Sequence, residues 1–537
     1  MTIINTFPNF TLTKNPFTMK KIIIPFMMLP FFLSGQHLNI RIVSQNTPNE
    51  PSIAINPLNT DEIVCGYNTE DAYYSTDQGN TWTYSKLTST YGVMGDPCVI
   101  ADHLGNFYFF HLSDADAGSF LDRIVCQKSD DVGATWNNGS FMGLNGTKDQ
   151  DKEWAVFDFK TKNIYVTWTQ FDRYGSSSSA DSSLILFSKS TDLGETWTVP
   201  KILSETPGDC NDDDNTVEGA VPAVGPNGEI YVSWSGPEGI VFDRSYDEGE
   251  TWLDQDIFVN EHAGGWNQDI PGIYRCNGMP VTICDTSNSP YRGTIYINYS
   301  DTKNGENDTD IWLVKSTDGG NTWSNPKRVN NDSPGKHQFF PWMAIDQVTG
   351  YIYIVFYDRR NYDDNQTDVY LAVSKNGGEH FVNYKISESP FTPDQGVFFG
   401  DYNNIAAYNN VVRPVWTRFG TSYPNDYGLS IWTAIIDLET LNIFEKPKLT
   451  EALEQNYPNP FSAQTFISFK IKNHEYISLS VFDVFGKEVC KIIDHELYRP
   501  GKYVESFNAA SQQLQAGVYY FVLTLGTKKQ TKKMLIN

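Results

Sequence analysis

Cysteine is scarce. Seven residues, at 65, 98, 126, 210, 276, 284 and 490, are spread over 537 positions. The number is odd and no CxxC pair occurs, which argues against a zinc site and a dense disulfide frame. Cys65, Cys98 and Cys126 lie in apolar, strand-like runs and are expected as buried thiols. One or two bridges among Cys210, Cys276 and Cys284 stay open if the compartment is oxidising. Positive charge is scarce too: 40 Lys and Arg against 65 Asp and Glu give a net charge of −25. Such a chain repels phosphate backbones, so nucleic acid and bare anionic membrane are poor partners. The imbalance is local. From Leu449 onward, ten Lys and Arg face eight Asp and Glu, which leaves −27 on the first 448 residues. Long helical periodicities are missing. Beyond the leader no apolar run approaches 18 residues, so no transmembrane span is expected in the mature protein.

Aromatics, by contrast, make up 14% of the chain, with 30 Tyr and 13 Trp. Short alternating runs between Gly, Asn and Asp carry most of them, which predicts an all-β fold. One octet recurs: STDQGNTW from Ser75, SDDVGATW from Ser129, STDLGETW from Ser190, SYDEGETW from Ser245 and STDGGNTW from Ser316. A worn sixth copy, SKNGGEHF, starts at Ser374. The copies lie 54 to 71 residues apart, a spacing that signals a repeat architecture. Before each copy stand two β-runs around an Asx or Gly turn, as in AVPAVGPNGEIYVSWSG from Ala220. A third run leads into the octet and a fourth leaves it. Four strands per unit, repeated radially, predict a β-propeller. Seven hairpins predict seven blades; six is the alternative if the last unit completes the first. The octet reads as a structural joint between strands three and four. Its Asp (Asp77, Asp131, Asp192, Asp247, Asp318) bonds the turn, its Gly allows positive φ, and its Trp (Trp82, Trp136, Trp197, Trp252, Trp323) packs between sheets. The seventh unit has no octet. Its edge is expected to be closed by the orphan run LNIRIVSQ, Leu38 to Gln45, with Thr440 to Lys446 as the rival.

Residues 1–36 read as a leader. From Met19, two lysines precede a twelve-residue apolar stretch, Ile22 to Leu33, and then small residues, which predicts a secretory signal peptide. Residues 37–448 would form the propeller. Residues 449–537 read as a small β-sandwich of about seven strands. This tail resembles the type A C-terminal sorting domain of the type IX secretion system of Bacteroidota. The matching residues are Asn456 to Phe461 (NYPNPF), Phe482-Asp483, Gly486, Gly517-Val518-Tyr519 and Lys532-Lys533-Met534. The resemblance implies the type IX machinery as a partner, with release from the cell or attachment to its outer surface.

The octet itself resembles the Asp-box, or bacterial neuraminidase repeat, of the sialidase-like superfamily, over about residues 38 to 446. That resemblance implies the propeller fold; activity is a separate matter, since the box also occurs in propellers that are not sialidases. Ligands of propellers sit on the axis, where inner strands converge. Glu50, Asp96, Glu153, Glu218 and Asp401 stand at or beside five of the seven inner-strand starts. Paired carboxylates there could serve a glycoside hydrolase or hold Ca²⁺. They could also be turn acids that cap strand starts. A sialidase additionally needs three arginines, a Tyr–Glu nucleophile pair and an Asp acid. By position alone, Asp96, Glu218 and Tyr402 would fill the last three roles, and Arg275, Arg359 and Arg360 are the leading arginine candidates. Arg41 is the nearest match to the family's first arginine but precedes the first hairpin. Two acidic loops, Asp209 to Asn215 and Asp301 to Asp310, also admit a Ca²⁺ site. Three functions follow as expectations. The protein binds a glycan or another extracellular polymer without sialidase chemistry. Or it is an exo-sialidase or related glycoside hydrolase. Or it is a protein-binding surface adhesin.

Overall fold

The computed structural model describes residues 37–114, 121–213, 215–420, 428–438, 441, 453–471, 475–499, 501–512, 514–526 and 528–537. The signal-peptide segment and all of the run 440–446 except Leu441 lie outside the described residues. Every regular element described is a strand.

Seven four-stranded antiparallel sheets account for residues 38–435. The first is built from Ser52–Ile55, Ile63–Tyr67, Asp71–Ser75 and Thr83–Lys86, in chain order from the inside out. The inner strands of sheets 2 to 7 are Cys98–Ala101, Asp149–Phe157, Glu218–Val224, Val281–Cys284, Gln338–Asp346 and Asn404–Tyr408. Each touches the next, and Asn404–Tyr408 meets Ser52–Ile55, so the ring is closed. All seven inner strands line one axial cavity. The fold is therefore a β-propeller, with seven sheets among the described residues. The seventh sheet is completed by the N-terminal strand Leu38–Val43, which runs antiparallel to Leu429–Ile435 and sets Arg41 opposite Trp432. Arg41 is exposed at this outer edge and far from the axial strands in the sheet order.

The octets explain how neighbouring sheets are joined. In the first, Ser75 Oγ donates to Asp77 Oδ1 (2.8 Å), and Asp77 accepts the amide and hydroxyl of Thr81 at 2.8 and 2.7 Å. The same set recurs at Asp131, Asp192, Asp247 and Asp318. The tryptophan then reaches back to the preceding sheet. Trp197 donates from Nε1 to Ser140 of sheet 2, Trp252 meets Phe187 of sheet 3 edge-on, and Trp323 meets Phe242 of sheet 4. A Cβ on Gly249 or Gly320 would collide with those same Phe rings, and both glycines have positive φ (78° and 89°). One feature escapes the motif. The residue before that glycine is left-handed as well, at Gln78, Val132, Leu193 and Glu248 (φ 59–64°). Only the fifth and sixth copies place Gly there (Gly319, Gly377).

Among the described residues the tail shows six strands, where about seven were expected: a pair, Gln464–Ile471 with Gly501–Asn508, and a four-stranded sheet holding Glu475–Phe482 and Gly517–Leu525 at its centre. Leu453 and Tyr457 make only single bridges to the first strand, because the proline-rich NYPNPF run has few amides to offer a ladder. All seven cysteines are free, so none of the bridges left open among Cys210, Cys276 and Cys284 is formed. Those three are buried, Cys284 in the inner strand of sheet 5.

Candidate functional site

Five of the seven inner strands enter the axis through one repeated device. Two positions ahead of Ser52, Cys98, Trp154, Val221 and Trp342 stand Glu50, Asp96, Lys152, Gly219 and Phe340, with φ of 52°, 50°, 54°, 76° and 49°. Left-handed backbone costs a non-glycine residue about 1–2 kcal/mol. Such strain collects where surrounding contacts enforce it. Here the contacts are ionic. Glu50, Asp96 and Lys152 occupy the same position in three consecutive sheets. Lys152 Nζ lies 2.8 Å from Asp96, 2.9 Å from Asp401 and 3.9 Å from Glu50. All four side chains are buried.

Arg275 extends the cluster outward. It comes from the 261–280 segment between sheets 4 and 5, pinned by Asn277 Nδ2 donating to the Asp401 carbonyl (2.8 Å). Arg275 Nε donates to Asp401 (2.9 Å) and Nη1 to Asp212 (2.5 Å), which also accepts from the Tyr174 hydroxyl (2.6 Å). The guanidinium lies over the Trp266 and Phe398 rings, 5.6 and 5.1 Å from their centroids. Beside it Tyr274, 62% exposed, meets Phe398 edge-on. The cluster thus runs from a buried lysine to an aromatic-flanked arginine at the surface.

Protonation balances the charges. Burial pushes Asp401 up, but Lys152 and Arg275 outweigh it and hold its carboxyl at about 2. Asp96 is likewise held low: burial opposes it, while Lys152 and a hydrogen bond from Glu50 prevail. Burial first, and then Asp96, push Glu50 well up. Burial, with Asp96 and Asp212 adding to it, raises Asp151 to about 8 despite Lys152. Burial thus favours the neutral form of Glu50 and of Asp151, while Lys152 and Arg275 offset Asp96 and Asp401.

Other expected site residues are placed differently. Glu153 and Glu218 are buried and their carboxyl oxygens have no partner from another described residue. Burial drives both well up. They are one residue out of register with the ion cluster: the equivalent positions are Lys152 and Gly219. Tyr402 stacks into an aromatic trio, its centroid 4.9 Å from Trp154 and 6.0 Å from Trp342. Burial, with Asp96 and Glu50 nearby, pushes its phenol upward, the opposite of what a nucleophile needs. Arg359 and Arg360 do not join Arg275. Leaving the second strand of sheet 6, Arg360 pairs with Asp358 (2.6 Å), and Arg359 donates to the Pro271 carbonyl (2.7 Å) and Thr367. The acidic loops have other employment. Asp212 serves Arg275, Asp310 serves Arg328 (2.6 Å), and Asp308 accepts the Gly335 amide. Among the described residues no three His, Cys, Asp or Glu side chains converge on a metal position. Asp151, Lys152 and Tyr174 are the members that sequence reasoning missed, and Asp212 was singled out only as part of an acidic loop. The one available signal was Lys152 itself, a lone base in the acidic run DQDKEW that opens an inner strand.

Comparison with known proteins bears mainly on the tail. Residues 455–537 match the secretion system C-terminal sorting domain. The chain accordingly carries a type IX address to the cell surface or extracellular space. No curated protein matches the sequence. Among solved structures, an ulvan lyase bound to its saccharide is similar at 14% identity and a TM-score of 0.44, covering 73% of this chain and 95% of that one. An α-L-arabinofuranosidase from Fusarium graminearum is similar at 12% identity and 0.41 (75% and 99% covered). Trypanosoma rangeli sialidase is similar at 11% identity and 0.40 (93% and 89% covered). Likeness at this level assigns no activity.

Proposed function

We propose that this exported propeller binds a glycan at the axial end where Arg275 emerges, and that it does so without sialidase chemistry. One observation carries the reading. The Arg275 fork, the natural receptor for a substrate carboxylate, is filled by Asp401 and Asp212, while the rings of Tyr274 and Phe398 stand beside it at the surface. Occupied cations and surplus acids disfavour an anionic sugar such as a sialoside. Aromatic faces and carboxylate acceptors suit the CH faces and hydroxyls of a neutral one. A second reading, a glycoside hydrolase, is favoured by Glu218, a buried and unpartnered acid whose raised proton affinity suits a general acid.

The two readings part in one experiment. The purified chain is assayed on a glycan array and on fluorogenic sialosides and neutral glycosides. Binding to neutral glycans, weakened at least tenfold by Arg275→Ala and by Tyr274→Ala, without turnover, supports the binding module. Turnover abolished by Glu218→Gln supports the hydrolase. Sialoside cleavage would overturn the proposal.

A further inference from the structure

The axial cavity lies on the other side of the aromatic trio and does not belong to the ion cluster. Its volume is about 330 Å³. Ligand pockets begin at about this size, and an apolar cavity of about 150 Å³ already takes up benzene. One charged residue in five is the rule for this chain, yet none of the residues lining the cavity is charged. Val99, Ala155, Val221, Ile283, Met343 and Ala406 face it from six of the seven sheets. Except for Val99 and Met343 they are only half-buried, so their free surface is the cavity wall. Trp154 and Trp342, centroids 4.3 Å apart, form the floor at the strand starts and wall off the charged end. At the strand ends the mouth carries Phe159, 49% exposed, with Tyr408 and Gln347.

A water-filled shaft would carry charged or polar side chains at these six positions. This one does not. We propose that the axial channel is a second binding site, open on the hairpin face, for an uncharged apolar molecule of alkyl or aryl type. The occupant is argued from the wall: it offers no countercharge to an acid or amine, and its aliphatic side chains and indole floor outweigh the few neutral polar groups of Ser52, Thr282, Thr286, Gln347 and Asn404. Water displaced from such a wall gains free energy in proportion to the apolar area covered.

The test uses the full chain and the neutral apolar dye N-phenyl-1-naphthylamine, with 1-dodecanol as competitor. The expected result is saturable one-to-one binding, tryptophan-to-dye energy transfer, and displacement by dodecanol. Ala155→Phe with Ala406→Phe fills the channel and is expected to weaken binding tenfold or more, whereas Arg275→Ala leaves it unchanged. Should the filled variant fail to fold, Trp154→Phe with Trp342→Phe keeps the floor apolar. It is expected to retain binding and lose most of the energy transfer. Absence of dye binding to the native chain overturns the proposal. So does unchanged binding in a folded, filled variant, or energy transfer unaffected by the floor substitutions.

Discussion

Lys152 is where the residue scale decides most. Its ammonium is shared by Asp96 and Asp401, and all three are buried. Removing one partner of a buried ion set leaves the rest uncompensated and costs about 3–5 kcal/mol. Lys152→Met is therefore expected to lower stability by that amount in chemical denaturation, while exposed Lys528→Met changes it little. The pH dependence has two arms. Asp401, held at about 2, contributes stability above the ordinary carboxylate pKa, and that stability is lost as pH falls toward 2. Asp151, raised to about 8, contributes stability that is full below the ordinary carboxylate pKa and is lost as pH rises through 8. Thermal stability is expected to decline from pH 5 to pH 9, and Asp151→Asn is expected to flatten that decline. Parallel curves for the native and Asp151→Asn chains would show that Asp151 does not titrate there. The acids at this site were legible because Glu50 and Asp96 each precede a proline that marks the strand entry. Lys152 and Gly219 precede no proline, so the sequence pointed one residue late, to Glu153 and Glu218.

At the scale of elements, the octet was legible almost in full, since its Ser, Asp, Gly, Thr and Trp each answer a local hydrogen-bonding or packing need. What the motif concealed is the relative weight of those needs. Asp192 is exposed, so the amide and hydroxyl it serves can turn to water, and Asp192→Ala is expected to cost only about 1 kcal/mol. Trp252 packs on Phe187, and Trp252→Ala is expected to cost about 3 kcal/mol. Gly249→Ala meets both a positive φ and the Phe187 ring and is expected to cost as much as the tryptophan or more, from about 1–2 kcal/mol of strain and 1–3 of overpacking. Melting temperatures that rank Asp192→Ala as the most damaging would contradict this order. The left-handed residue before that glycine was hidden, because four of the six copies carry an ordinary side chain there. Glu248→Gly relieves its strain but removes the 2.9 Å hydrogen bond from Asn163, so the two effects are expected to offset to within about 1 kcal/mol in chemical denaturation.

For the whole molecule, the decisive question is how the ring stays shut. Six sheets take all four strands from consecutive sequence, and the seventh borrows its outermost strand from the other end of the propeller. The alternation of LNIRIV made that legible, whereas the register, Leu38 against Ile435 and Ile40 against Thr433, was not. The borrowed strand does more than cover an edge. Asn39 Nδ2 donates to the Ile386 carbonyl (2.8 Å) and Asn39 Oδ1 accepts the Glu388 amide (2.9 Å), which fastens the strand to the chain leaving sheet 6. Without it, Leu429–Ile435 becomes an unpaired edge whose Leu429, Ile431 and Ala434 are now wholly buried. Unpaired edges of that kind template association with other chains. Deleting residues 37–45 is therefore expected to lower the melting temperature and to produce higher oligomers in light scattering. Ile40→Pro, which breaks the ladder without shortening the chain, is expected to act in the same direction and more weakly. Removal of residues 453–537 serves as the contrast. The core of the tail, from Leu453 through Ile536, is drawn entirely from its own residues, so its loss is expected to leave the propeller's oligomeric state and melting transition unchanged. A monodisperse, thermally unchanged chain after deletion of 37–45 would mean that sheet 7 closes the ring without the N-terminal strand.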